Sequence, residues 1–72
     1  MVKAVVLVKS PKKLIAARLR KIKSIYDSFP VAGQFDAVAL INVNQLSEIK
    51  NITTQIQIIE GVERTETMVE VE

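Results

Sequence analysis

Val31-Ala32-Gly33-Gln34-Phe35-Asp36-Ala37-Val38-Ala39-Leu40-Ile41-Asn42-Val43 decides how the rest of the chain is arranged. One apolar segment ends at Gly33, and a second runs from Ala37 to Val43. The Gly33-Gln34-Phe35-Asp36 stretch between them is short enough to return the chain on itself as a hairpin. Gly33 tolerates the positive φ that tight turns require. Residue type alone leaves two readings of Asp36 open. Its carboxylate can accept hydrogen bonds from backbone N–H groups of the turn, or it can face outward to a ligand.

Upstream of the turn, residues 24–32 read as a strand with Ile25, Asp27, Phe29 and Val31 on one face. Pro30 has no N–H to donate, which places that strand at a sheet edge or on a bulge. Before it, Ser10 and Pro11 fit the cap and first turn of a helix. Ile15, Leu19 and Ile22 then recur at i, i+4 and i+7, leaving Lys12, Lys13, Arg20 and Lys21 to water. Residues 2–9 alternate as a strand, with Val2, Ala4, Val6 and Val8 on one face. Lys3, Val5, Leu7 and Lys9 lie on the other, so its centre is apolar on both sides.

Downstream, residues 37–43 form a third strand, with Ala37, Ala39, Ile41 and Val43 opposed to Val38 and Leu40. Asn44 is the expected N-cap of a helix of about 14 residues. Its stripe is Ile49, Ile52, Ile56 and Ile59, widened by Leu46 and Ile58. Gly61 suits the C′ position that ends it. A last strand, 62–71, alternates Glu63, Thr65, Thr67, Val69 and Val71 with Arg64, Glu66, Met68 and Glu70.

The order is βαββαβ. Right-handed crossovers around a central hairpin give an α+β, ferredoxin-like fold. It has a four-stranded antiparallel sheet ordered 4-1-3-2, with both helices on one face. That order sets the Pro30 strand at an edge. It also pairs the first and last strands. Residues 1–25 carry eight basic side chains and no acid, whereas residues 60–72 carry five glutamates and one arginine. Charge attraction between those two strands is therefore expected.

The chain has 72 residues, enough for one domain and no more. A domain of this size buries only about 60% of its unfolded surface. Yet 49% of its residues are apolar. The helices leave one sheet face bare, and strands 1 and 3 bring Val5, Leu7, Val38 and Leu40, or their alternates, to it. Face-to-face packing of two sheets covers such a patch, so the pattern predicts a homodimer.

The chain has no cysteine and no histidine. Disulfides and thiolate metal sites are thereby excluded, and the usual general base and commonest metal ligand are missing. No catalytic residue, metal or cofactor is expected. The lack of cysteine fits a reducing compartment, and the cytoplasm is the expected location. No apolar run is long enough to span a membrane. The basic first third can be read as a nucleic-acid footprint, but strands 1 and 3 lack the aromatics on which RNA-recognition sheets stack bases. The lysines of the first helix are read as its solvated face. An enzyme of the dimeric α+β barrel kind shares the topology but lacks support in the residues. Gly33, Asp36, Thr65 and Thr67 are each ordinary turn and strand residues taken singly. Taken together, a carboxylate, an accessible backbone and hydroxyls can also hold the amine and carboxylate of a small zwitterion.

Val31-Ala32-Gly33-Gln34-Phe35-Asp36, followed by an apolar strand, resembles the Val-Thr-Gly-x-Tyr-Asp element of Lrp/AsnC regulators. Ile59-Glu60-Gly61-Val62-Glu63-Arg64-Thr65-Glu66-Thr67 resembles their Pro-Gly-Val-x-Arg-Thr-x-Thr segment. The resemblance runs from Val2 to Val71 and corresponds to the C-terminal effector domain of that family, called RAM. It implies a stand-alone RAM domain over residues 1–72, with no helix-turn-helix domain and no direct operator binding. It further implies a sheet-to-sheet homodimer, rings of four or five dimers, and an amino-acid effector held between dimers. The implied ligand-binding residues are Ala32, Gly33, Phe35, Asp36, Thr65 and Thr67. Ala32 departs from the family's threonine and Phe35 from its tyrosine. A full-length Lrp/AsnC regulator is an implied partner through mixed assembly. An amino-acid-binding ACT domain shares the topology and ligand class, and a pure assembly module without ligand is the alternative function.

Overall fold

The computed structural model describes residues 1–11 and 14–71. The elements run β1 (Val2–Lys9), α1 (Ile15–Arg20), β2 (Ile25–Pro30), β3 (Ala37–Val43), α2 (Leu46–Gln57) and β4 (Arg64–Val69). The sheet is ordered β2-β3-β1-β4 and every pairing is antiparallel. This is the ferredoxin-like arrangement that the sequence predicts.

Alternation in β1 and β3 fixes the core. Ala4, Val6 and Val8 face Ile41, Ala39 and Ala37 across the ladder, and all six are buried. Ile15 and Leu19 of α1 and Ile49, Ile52 and Ile56 of α2 close over that face. Both helices therefore cover one side of the sheet.

Local chemistry moves several boundaries. The chain does not enter α1 at Ser10. Its backbone N–H donates instead to Asp36 Oδ2 at 2.8 Å, which ties residue 10 to the hairpin turn. α1 begins after Leu14, which sits in the left-handed region at φ 64°. Lys12 and Lys13 lie outside the described residues. β2 ends at Pro30 on the sheet edge, where its missing N–H costs no ladder bond. A bulge between Ile25 and Asp27 breaks the alternation of β2. As a result Ile25 and Ser28 are buried toward the helices, and Phe29 leaves the face predicted for it.

α2 is capped one residue later than expected, at Gln45. Glu48 Oε2 accepts from the backbone N–H of both Asn44 and Gln45 at 2.9 Å, completing a capping box. Ile49, Ile52 and Ile56 are buried as predicted, but Leu46 and Ile58 are exposed. Ile58 lies two residues past Ile56, about 200° round the helix, and so turns away from the sheet. Gly61 does not end α2, which stops at Gln57. It takes φ 95° within the connection to β4. The charge pairing expected of β1 and β4 is also displaced. Their register sets Lys9 directly opposite Arg64 and Glu66 opposite Leu7.

Candidate functional site

The turn between β2 and β3 is fastened to β1 as well as to itself. Val31 N–H donates to the Asp36 carbonyl at 3.0 Å, and Asp36 N–H donates to the Val8 carbonyl at 2.8 Å. With the Ser10 bond to its carboxylate, Asp36 joins three segments. Ala32 and Gly33 are exposed at the tip. Gly33 has φ 129°, a conformation that side-chain-bearing residues rarely adopt, and open space surrounds the position a Cβ would take.

The six predicted ligand residues are not gathered at one point. Phe35 is nearly buried, with the Arg64 guanidinium 4.9 Å from its ring centroid. Gln34, Arg64, Thr65 and Glu66 frame an open depression of about 380 Å³ beside that stack. Asp36 lines a different cleft, of about 470 Å³, that runs along α1 past Ala17, Arg20, Ser28 and Pro30. The β4 register sets Thr65 opposite Val8 and Thr67 opposite Val6, which puts both on the helix side. Thr65 Oγ1 accepts from Gln57 Nε2 at 3.2 Å, while Thr67 is exposed and lines neither cavity. Of the six, Thr65 lines one cavity and Asp36 another, while Phe35 lies under Arg64 and lines neither.

Sequence reasoning missed Arg64 as a partner of Phe35. Arg64 stands inside the second motif, yet no local pattern links residues so far apart. It also missed Arg20 and Ser28. Arg20 Nε donates to the Ser28 carbonyl at 2.7 Å, and its Nη2 lies 3.4 Å from Asp27 Oδ1. The guanidinium thus covers an outward carbonyl of the edge strand. Ser28 is fully buried, and its hydroxyl has no hydrogen-bond partner among the described residues.

The opposite sheet face is bare of helices. Tyr26, Phe29 and Met68 are exposed there, and Tyr26 and Met68 line a groove of about 400 Å³ together with Val5 and Leu40. Among the described residues no group of three acidic, histidine or cysteine side chains can hold a metal ion. No described helix is long and apolar enough to cross a membrane.

No protein-family model matches the chain, and no curated protein matches it. Solved structures do. A Thermus thermophilus protein, TTHA0845, superposes with a TM-score of 0.92 at 29% identity, over 100% of this chain and 95% of that one. AsnC of E. coli superposes with a TM-score of 0.83 at 13% identity, over 99% of this chain and 51% of that one. A transcriptional regulator of Neisseria meningitidis, NMB0573, solved as a complex with L-Met, gives a TM-score of 0.80 at 16% identity. It is covered over 50% of its length, so this chain spans about half of each regulator. At 13% and 16% identity the likeness to the regulators is one of fold. By element order, strand order and end-to-end superposition, the chain is a RAM-like domain, built on the fold that Lrp/AsnC regulators carry.

Proposed function

We propose that this chain is an effector-responsive assembly domain of Lrp/AsnC type, a single unit over residues 1–72 that acts in the cytoplasm. Two copies pack through their helix-free sheet faces, and dimers associate further into rings. An amino acid binds near the turn, with Asp36 taking its ammonium and backbone N–H groups near Gly33 its carboxylate. Phe35, Thr65 and Thr67 complete the site, with Ala32 beside it. The bound state alters assembly with other copies or with a full-length regulator.

The bare apolar face carries this reading. Tyr26, Phe29 and Met68 are large side chains left exposed together on a 72-residue chain. The L-Met complex of the structurally similar Neisseria regulator supports the ligand class.

Sedimentation of the purified chain, with and without each of the twenty amino acids, tests both parts. A dimer or larger species is expected at micromolar protein. A thermal-shift screen run beside it is expected to find a selective ligand. A ligand at 100 times its Kd adds about 2.7 kcal/mol. Asp36→Ala is expected to abolish the shift. A folded monomer removes the assembly reading, and full binding by Asp36→Ala removes its central residue.

One observation favours a second reading, an assembly module without ligand. Asp36 already accepts from Ser10 N–H, and Thr65 already accepts from Gln57. Those groups are engaged structurally, and failure of all twenty amino acids to bind would establish that role.

A further inference from the structure

We infer that the outer side of α1 and the connection that follows it bind the phosphate backbone of a nucleic-acid duplex, without reading its sequence. This activity lies beyond the effector reading and uses none of the residues assigned to the amino-acid site.

The first observation is a run of unopposed charge. Six basic residues and no acid fall between positions 12 and 23. Arg18, Arg20, Lys21 and Lys23 are all exposed. Arg20 is paired with Asp27, while Arg18, Lys21 and Lys23 have no acidic partner among the described residues. A helix gains from cations in its last turn. Here the helix spans six residues, and the charge continues past its end to Lys23. Arg18 and Lys21 stand three residues apart, so they project from one side of the helix and can reach neighbouring phosphates.

The second observation is where the fold puts the acids. α1 packs on β2 and β3, whereas β4 forms the opposite edge of the sheet. Glu60, Glu63, Glu66 and Glu70 lie on β4 or beside it. The strand order sets β4 three strand spacings from β2, about 14 Å, which exceeds the screening length of about 8 Å at physiological salt. The acid-rich strand therefore does not neutralise the basic strip. The nearer carboxylates are engaged. Asp27 accepts from Arg20 and from the Ser28 N–H, and Asp36 accepts from the Ser10 N–H.

The third observation is the make-up and access of the strip. Ile15 and Leu19 are buried against the sheet, which leaves Arg18 and Lys21 at the centre of the outer side. Protein interfaces centre on aromatic and apolar groups and are poor in lysine, the reverse of this surface. Residues 12–23 contain no aromatic, so a single strand finds no platform on which to stack its bases. A duplex backbone, with a charge about every 1.7 Å of its axis, asks only for closely spaced cations. The helices lie on the side of the sheet opposite the bare face, so pairing of two bare faces leaves both strips open, one on each outer side.

Fluorescence anisotropy of short labelled DNA duplexes tests the assignment. Two duplexes of unrelated sequence are expected to bind alike, since phosphate contacts carry no sequence information. Three phosphate contacts give a slope of log K against log salt of about −3, an affinity loss of about fortyfold between about 50 and 200 mM salt. Arg18→Gln combined with Lys21→Gln is expected to weaken binding at least about tenfold at the lower salt and to flatten the slope by about two. Lys23→Gln, outside the helix, is expected to flatten it by about one, which keeps the test if the double variant fails to fold. Adding Glu63→Lys to the double variant restores the net charge from across the sheet and is expected not to restore binding. Absence of binding at the lower salt, binding insensitive to salt, tighter binding of a single strand, or recovery with Glu63→Lys overturns the inference. So does a double variant that keeps its affinity for duplex but sediments as a smaller species, which gives the strip to a neighbouring copy. Each of these results leaves the amino-acid reading standing, because the thermal-shift screen tests that separately.

Discussion

Met68→Lys is the sharpest test of how the bare face is used. Tyr26 is 62% exposed, Phe29 39% and Met68 51%. With roughly 200 Å² per side chain, these three leave about 300 Å² of largely apolar surface on each copy. Covering it on two copies contributes about 15 kcal/mol at about 25 cal/mol per Å². Association costs about 4–15 kcal/mol. At a cost of about 7 kcal/mol, inside that range, about 8 kcal/mol remains, which is a micromolar dimer. In an isolated protomer Met68→Lys is a surface change, within about 0.5 kcal/mol of neutral. Across a two-fold interface it buries two unpaired ammonium groups, at several kcal/mol. The dimer Kd should rise roughly a hundredfold or more while the unfolding free energy of the protomer holds. Sedimentation velocity over a micromolar concentration series reads the first quantity, and urea unfolding at the lowest concentration reads the second. A Met68→Lys chain that stays as dimeric as the parent refutes the reasoning.

Other substitutions probe single devices. Gly33→Ala should cost about 1–3 kcal/mol through backbone strain alone, since no atom crowds the added methyl; urea denaturation measures it. Glu48→Ala removes the acceptor of two backbone N–H groups at the start of α2 and should cost about 0.5–2 kcal/mol, read as a lower midpoint by circular dichroism. Arg64→Ala uncovers the Phe35 ring and should lose about 0.5–1 kcal/mol, whereas Arg64→Lys should recover part of it. An unchanged denaturation curve for Arg64→Ala would show that the stack contributes nothing.

Much of the fold was written in the alternation of β1 and β3. Ala4, Val6, Val8, Ala37, Ala39 and Ile41 are all buried as their period-two spacing requires. Pro30 called for a sheet edge or a bulge in β2, where a missing N–H is tolerated, and β2 has both. The bulge at Tyr26 was not legible, since it adds one residue to a ladder without leaving a mark of composition. That one residue reversed the facing of Ser28 and Phe29. The start of α1 was misread for a related reason. Ser10-Pro11 has the chemistry of a helix cap, but Leu14 turns left-handed and α1 begins only after it, while Ser10 N–H is held by Asp36, far along the chain. The candidate site suffered most from such distant effects. Gly33 and Asp36 stood out in the sequence through their turn, whereas Arg20, Ser28 and Arg64 acquire meaning only from neighbours that folding supplies.

β4 is fastened on one side only. Among the described residues it pairs with β1 alone, and none of its residues is fully buried. Free energy of opening follows buried contact, so this strand belongs to the part of the domain that frays well before global unfolding. Arg64, Thr65 and Thr67 all ride on it. Whatever seats on the sheet face at Met68, or closes on Phe35 through Arg64, therefore acts first by quieting a loose edge. A change of order along that edge, at nearly constant shape, is then the expected response to either event.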